Sequence, residues 1–407
     1  MPPTKRELIL AGMVLLALPL LGEIALRLAH VPFDAQLYGP DRQLGWTLRP
    51  GASGLVSTET PQWVRINSRG FRDAERSYEK PANTFRIAVL GNSWTEALQV
   101  SLDKTYTFAM QQTLNQEKCF AGKHVEVLNF GVAGYSTAQE LLLLRHRVWS
   151  FHPDLVLLAM YPARDIANNV RELNNAVTPE RSPYFVLHGD QLVLDDSFRS
   201  LPALQPRQVL LQSFGFWFDD HFKTLQAINT LQRFGKIRVA MAAAKERAEQ
   251  SGMDNLEYAI YAPPSSPSMK TAWDVTEAVL LAMREDVRTH GAEFRIVILA
   301  TRPQVISDPM KRNELQHKLN VRDFSYADAR IGIFAAQNGI PVTNLAPALS
   351  AYAESHRVYL NGFNAANLGA GHWNETGHRL AAETIAADLC PAAPAKPPGI
   401  PAQKAGE

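Results

Sequence analysis

Five short apolar runs constrain this chain more than any other feature: "FRIAVL" (85–90), "VEVLNF" (125–130), "DLVLLAM" (154–160), "FRIVILA" (294–300) and "PVTNL" (341–345). They are rich in β-branched residues and do not alternate with polar ones, so they read as strands buried on both faces. Helix-like segments lie between most of them. Strands that alternate with helices predict a three-layer α/β/α fold around a parallel sheet covered on both faces. At 407 residues the chain is long enough for a large core and additional parts. The segment "DVTEAVLLAMREDVRTHG" predicts one covering helix, with Asp274 as its cap, Glu277 three residues on and Gly291 after its last turn.

The remaining chain divides around that core. Residues 31–84 are rich in Pro, Gly and polar side chains and predict an N-terminal lobe of short strands and turns. Residues 85–390 make the α/β domain. Between its third and fourth strands lie about 130 residues, far more than a crossover needs, so an insertion is expected at about 183–290. Within it "YFVLHGDQLVLDD" predicts a hairpin with a Gly-Asp turn, and a mostly helical stretch follows over 207–250. "FGFWFDDHF" in that stretch either lines a cleft or packs onto the main domain. Residues 391–407 form a Pro/Ala tail without core-forming content, expected to be disordered.

Residues 1–30 carry Lys5 and Arg6 ahead of "LILAGMVLLALPLLG", which holds no charge, and Glu23 and Arg27 can pair four residues apart. The expectation is a transmembrane signal anchor, with a cleaved signal peptide as the alternative. Positive charge before the apolar run keeps that end cytoplasmic and places the rest outside a single-pass inner-membrane helix. Cys119 and Cys390 then suit one disulfide. A net charge of +1 without a Lys/Arg stripe argues against nucleic-acid binding.

The chemistry gathers at strand ends. "VLGNSW" supplies a strand, a turn glycine and Ser93, a candidate nucleophile or a helix cap. "VLNFGVAGYSTAQE" brings Gly131 and Gly134 to the end of the second strand, and "MYPARDIANN" brings Arg164 and Asp165 to the end of the third. "GAGHWNETGHR" sets His372 in a Gly-rich loop before the last helix. No HExxH or comparable ligand spacing accompanies His372 and His378, so no metal and no cofactor is expected.

These blocks, in this order, resemble the SGNH (GDSL-like) hydrolases, serine esterases and acyltransferases with a flavodoxin-like sheet. The "LGW…RPG" and "NSRGFRD" segments resemble the membrane-anchored branch with an N-terminal lobe. The resemblance implies Ser93 as nucleophile and His372 as general base, with an oxyanion hole from the Ser93 and Gly134 N–H groups. Arg164 stands where that pattern has an asparagine. The substrate class implied is O-acyl esters of cell-envelope or extracellular polysaccharide, with hydrolysis or acyl transfer as outcome. Two further departures bear on activity: Asn92 replaces an aspartate, and no acid closely precedes His372. A Ser–His dyad is therefore expected, and a non-catalytic glycan-binding or assembly protein is the opposing reading.

Overall fold

The Pro/Gly-rich segment before the apolar runs folds into two antiparallel hairpins, β1 (Tyr38–Asp41) with β2 (Gly45–Leu48) and β3 (Ser53–Val56) with β4 (Gln62–Arg65). The lobe has its own small core of Leu37, Leu48, Ala52, Val64 and Ile66. The structure is a computed structural model and describes residues 3–174, 178–232, 235 and 257–390.

The apolar runs then build one parallel sheet from β5 (Thr84–Gly91), β6 (His124–Gly131), β7 (Leu155–Met160), β10 (Glu293–Ile298) and β11 (Val342–Asn344). Their spatial order is β11-β10-β7-β5-β6. Counted along the sheet this is 2-1-3-4-5, the flavodoxin-like doubly wound order, whose switch point lies between β5 and β7. Register brings the strand ends level: Gly91 pairs with Gly131 and with Ala159, and Ile298 with Met160. The loops after β5, β6 and β7 therefore open onto one edge.

Helices Tyr106–Gln116 and Glu375–Leu389 pack together on one face, and Thr137–His146 with Pro267–Thr289 on the other. The last of these departs from expectation. It begins at Pro267 behind the cap Ser266, which accepts from the Met269 N–H at 3.1 Å, so Asp274 sits inside the helix. Serine followed by proline is the stronger start signal, because proline gives up an N–H that the first turn leaves unpaired anyway. The helix buries Trp273, Val279, Leu280 and Met283 in the main core, so the span expected as insertion contains one core crossover helix.

In the insertion, β8 (Tyr184–His188) and β9 (Gln191–Asp195) form a hairpin, followed by helix Pro206–His221. That helix buries only Asp219, and Phe214 and Trp217 are exposed, so the aromatic run packs into no core. The helical stretch expected to continue to residue 250 runs partly beyond the described residues, and the tail 391–407 lies outside them. Cys119 and Cys390 form a disulfide with a Cα–Cα distance of 5.6 Å, fastening the end of the last helix beside the turn that precedes β6.

The N-terminal apolar run is part of helix Lys5–Leu28. Its last turns are committed to protein contacts: Glu23 pairs with Arg27 at 2.7 Å and accepts from the Lys223 and Thr224 N–H groups at 3.0 and 2.9 Å. The uncharged stretch before Glu23 spans roughly 22 Å, against ~30 Å of hydrocarbon. Among the described residues no helix is long and apolar enough to cross a membrane, so the expected transmembrane anchor finds no support in this helix.

Candidate active site

At the end of β5 the chain turns sharply into the short helix Ser93–Glu96, with Asn92 as its cap. The Asn92 side chain accepts from the Trp94 N–H at 3.1 Å and donates to Asp165 at 2.7 Å. Asp165, wholly buried, also accepts from the Tyr161 N–H at 2.6 Å. Burial pushes the Asp165 carboxyl up to about 7, against these donors. Asn92 thus supplies the donor that a carboxylate there would lack, and it ties the β5 turn to the β7 turn.

The β6 turn is set by its neighbours. The Ala133 N–H donates to Glu96 at 2.6 Å, and the Ala133 carbonyl accepts from the Trp46 indole at 3.0 Å. Glu96 is buried, which pushes its carboxyl up to about 7 although Tyr38 and Ala133 both donate to it. With Ala133 held on both sides, Gly134 follows at φ +81, a conformation that suits glycine. Among the described residues neither the Ser93 N–H nor the Gly134 N–H has a hydrogen-bond partner. Arg72 of the "GFRD" segment reinforces the same turn from below, donating to the carbonyls of Glu96, Ala97 and Val100.

His372 reaches this edge from the loop before the last helix, its Nε2 2.8 Å from Ser93 Oγ. Its Nδ1 is not left to a backbone carbonyl, and the expected dyad is corrected here. Glu59, in the loop joining β3 to β4, places one carboxylate oxygen 2.5 Å from His372 Nδ1 and the other 2.9 Å from the His372 N–H. A carboxylate only accepts, so the ring proton sits on Nδ1 and the Nε2 lone pair faces the serine hydroxyl. Burial alone would raise the Glu59 carboxyl; the hydrogen bonds from His372 outweigh it and hold it below its ordinary value. The Gln99 amide also touches Nδ1, at 3.2 Å. Gly371 makes the approach possible: at φ +69, a Cβ there would lie 2.2 Å from Glu59 Oε2.

A cleft of about 360 Å³ opens over these groups, lined by Ser93, Gly134, Arg164, Asn168, Arg302 and His372. Trp94 stacks on Tyr161 at 4.5 Å and lies 4.9 Å from the His372 ring, fixing the floor. Arg302 is paired with Glu257 on the far wall. The structure therefore brings Ser93, Gly134, Arg164 and His372 to one cleft. It adds Glu59, Asn168, Arg302 and Glu257, for which the sequence carries no local signature. His378 points elsewhere: it is buried against Tyr106 and Trp373, and burial lowers its imidazole to about 3. Among the described residues no group of three His, Cys, Asp or Glu is placed to hold a metal ion.

The fold and site define a doubly wound α/β protein in which a serine at the switch point heads a Ser–His–Glu hydrogen-bond chain. No family model matches the chain, and no curated protein matches it. Among solved structures it is similar to the acetyl xylan esterase AlAXEase, at 12% identity over 74% of this chain and 98% of that one, with a TM-score of 0.35. LAE5, an alpha/beta hydrolase enzyme from the metagenome of Lake Arreo, Spain, gives 13%, 77%, 97% and 0.37 in the same order. A catalytic mutant of Axe2, an acetylxylan esterase from Geobacillus stearothermophilus, gives 10%, 75%, 94% and 0.37. At these values the likeness carries no argument.

Proposed function

We propose that the chain is a serine esterase acting on O-acyl esters, acetyl above all, of carbohydrate. The observation that carries this reading is the unbroken chain Ser93 Oγ–His372–Glu59, at 2.8 and 2.5 Å, opening into a cleft. A hydroxyl is a weak nucleophile until a base within hydrogen-bond reach takes its proton, and that base works best when a third group fixes its tautomer. Ser93 Oγ attacks the ester carbonyl as its proton passes to His372 Nε2. The Ser93 and Gly134 N–H groups, with the Arg164 guanidinium beside them, receive the negative charge on the former carbonyl oxygen. His372 returns the proton to the leaving sugar hydroxyl, and an acyl-serine remains. Water activated by the same imidazole completes hydrolysis; a second sugar hydroxyl in its place gives acyl transfer.

The non-catalytic reading drew on Asn92, on Arg164 and on the lack of an acid beside His372; Glu59 answers the third of these. A location outside the cytoplasm, at the inner membrane, is part of the proposal. The Cys119–Cys390 bond suits an oxidising compartment. Leu8, Ile9, Leu18 and Leu21 are more than half exposed, and an exposed apolar helix needs an apolar surface to cover it.

Hydrolysis of p-nitrophenyl acetate by the full chain tests the activity. Release of nitrophenol that is lost in both Ser93→Ala and His372→Ala supports it, and equal rates in all three proteins rule it out. Free acetate against acetylated added oligosaccharide, separated by chromatography, distinguishes hydrolysis from transfer.

A further inference from the structure

Behind the β6 turn lies a second groove of about 480 Å³, between the N-terminal lobe and the insertion helix Pro206–His221. It meets the nucleophile cleft at Gly134, which lines both. The indole of Trp46 forms the wall at that junction, 3.2 Å from where a Gly134 Cβ would stand. Phe216 contributes from the insertion side, and Gln36, Arg181 and Gln212 complete the lining. Among the described residues the side chains of Gln36 and Arg181 make no hydrogen bond or ion pair, and Gln212 uses only its Nε2, on the Ala203 carbonyl at 3.0 Å. Trp46, Phe216, Gln36, Arg181 and Gln212 are all partly exposed.

We propose that this groove is a carbohydrate subsite holding the sugar units next to the esterified one, an inference that rests on the esterase reading. A pyranose ring presents an apolar face of C–H groups and a rim of hydroxyls. That pattern matches flat aromatic walls with unengaged amide and guanidinium groups between them, few and convergent as in ligand sites generally. A fatty acyl chain fits worse, because filling the groove with methylenes strips water from Arg181, Gln36 and Gln212 without replacing their hydrogen bonds. Continuity at Gly134 sets the order: the acetylated unit sits over Ser93, and the chain runs back between Trp46 and Phe216.

The test uses the full chain carrying Ser93→Ala, which leaves esters intact. The probes are O-acetylated oligosaccharides of neutral hexose, neutral pentose and uronic acid, each from monosaccharide to hexasaccharide, with binding followed by calorimetry. At least one series binds more tightly with length, and Phe216→Ala and Arg181→Ala each weaken the longest member about tenfold. In the chain with Ser93 restored, both variants keep p-nitrophenyl acetate hydrolysis and melting temperature unchanged. No binding in any series, no gain with length, or binding indifferent to both substitutions overturns the subsite. Loss of aryl acetate hydrolysis in the unsubstituted chain strikes the esterase reading instead, so the two failures are separable.

Discussion

At Asn92 one side-chain amide decides how the β5 and β7 turns meet. Its amide donates to the buried Asp165, whose carboxyl titrates near 7, while its carbonyl receives the Trp94 N–H. Replacing it by aspartate sets two carboxyl groups against each other out of water. For Asp165 itself the folded value lies above the ordinary 3.8, so its contribution to stability is complete below that pH and is lost as pH rises through about 7. Asn92→Asp therefore lowers unfolding free energy by about 1–3 kcal/mol, and more at pH 8 than at pH 5, where one proton can be shared. Urea titrations at the two pH values measure this, and an equal loss at both contradicts it. Glu59 is the second decisive residue. Glu59→Gln keeps the shape but no longer selects the Nδ1–H tautomer, so kcat falls about 10²–10⁴-fold with KM little changed. Steady-state kinetics on p-nitrophenyl acetate reads it, and a rise in KM alone would assign Glu59 to substrate binding.

The element that delivers Glu59 is the β3–β4 hairpin, and it explains what was legible in the chain and what was not. Ser93, Gly134 and His372 announce themselves because each follows a strand or precedes a helix with its own local signature. Glu59 lies 313 residues from His372, in "STETPQW", where nothing marks it. The SGNH pattern that the sequence resembles has an acid just before the histidine, whereas here a separate lobe brings one through space. The trace left in the sequence is indirect: the glycines around Ala370 keep the His372 loop free of side chains where the carboxylate arrives. Gly371→Ala puts a methyl group on Glu59 and forces a left-handed backbone on alanine, costing about 1–3 kcal/mol locally. Activity then falls in step with Glu59→Gln while circular dichroism stays native, and full activity in Gly371→Ala would show that the hairpin does not orient the histidine. The helix at Pro267 teaches a related lesson. Asp274 and Glu277 imitate a capping pair, but Ser266 and Pro267 lie ahead of them and win.

Across the whole molecule, the parallel sheet was legible because continuous apolar runs mark the segments buried on both sides, whereas its strand order came only with the family resemblance. The N-terminal helix was less so, because hydropathy does not reveal that Glu23 docks on the insertion at Lys223 and Thr224. The disulfide ties the C-terminal end of the α/β domain back to the segment before β6 across 271 residues, a closure that mainly restricts the unfolded chain. Replacing Cys119 and Cys390 together by alanine lowers unfolding free energy by about 2–5 kcal/mol and leaves aryl acetate turnover intact, since neither sulfur approaches the cleft. Denaturant melts paired with rates check this, and a loss of turnover at full stability contradicts it. The central claim is that the lobe, the sheet edge and the His372 loop assemble a working nucleophile at Ser93. Labelling of the full chain with a fluorophosphonate, followed by peptide mass mapping, tests it most directly. The account predicts a phosphonylated Ser93 that is absent in Ser93→Ala and strongly reduced in His372→Ala and Glu59→Gln. An unlabelled Ser93, under conditions where a control esterase labels fully, contradicts it.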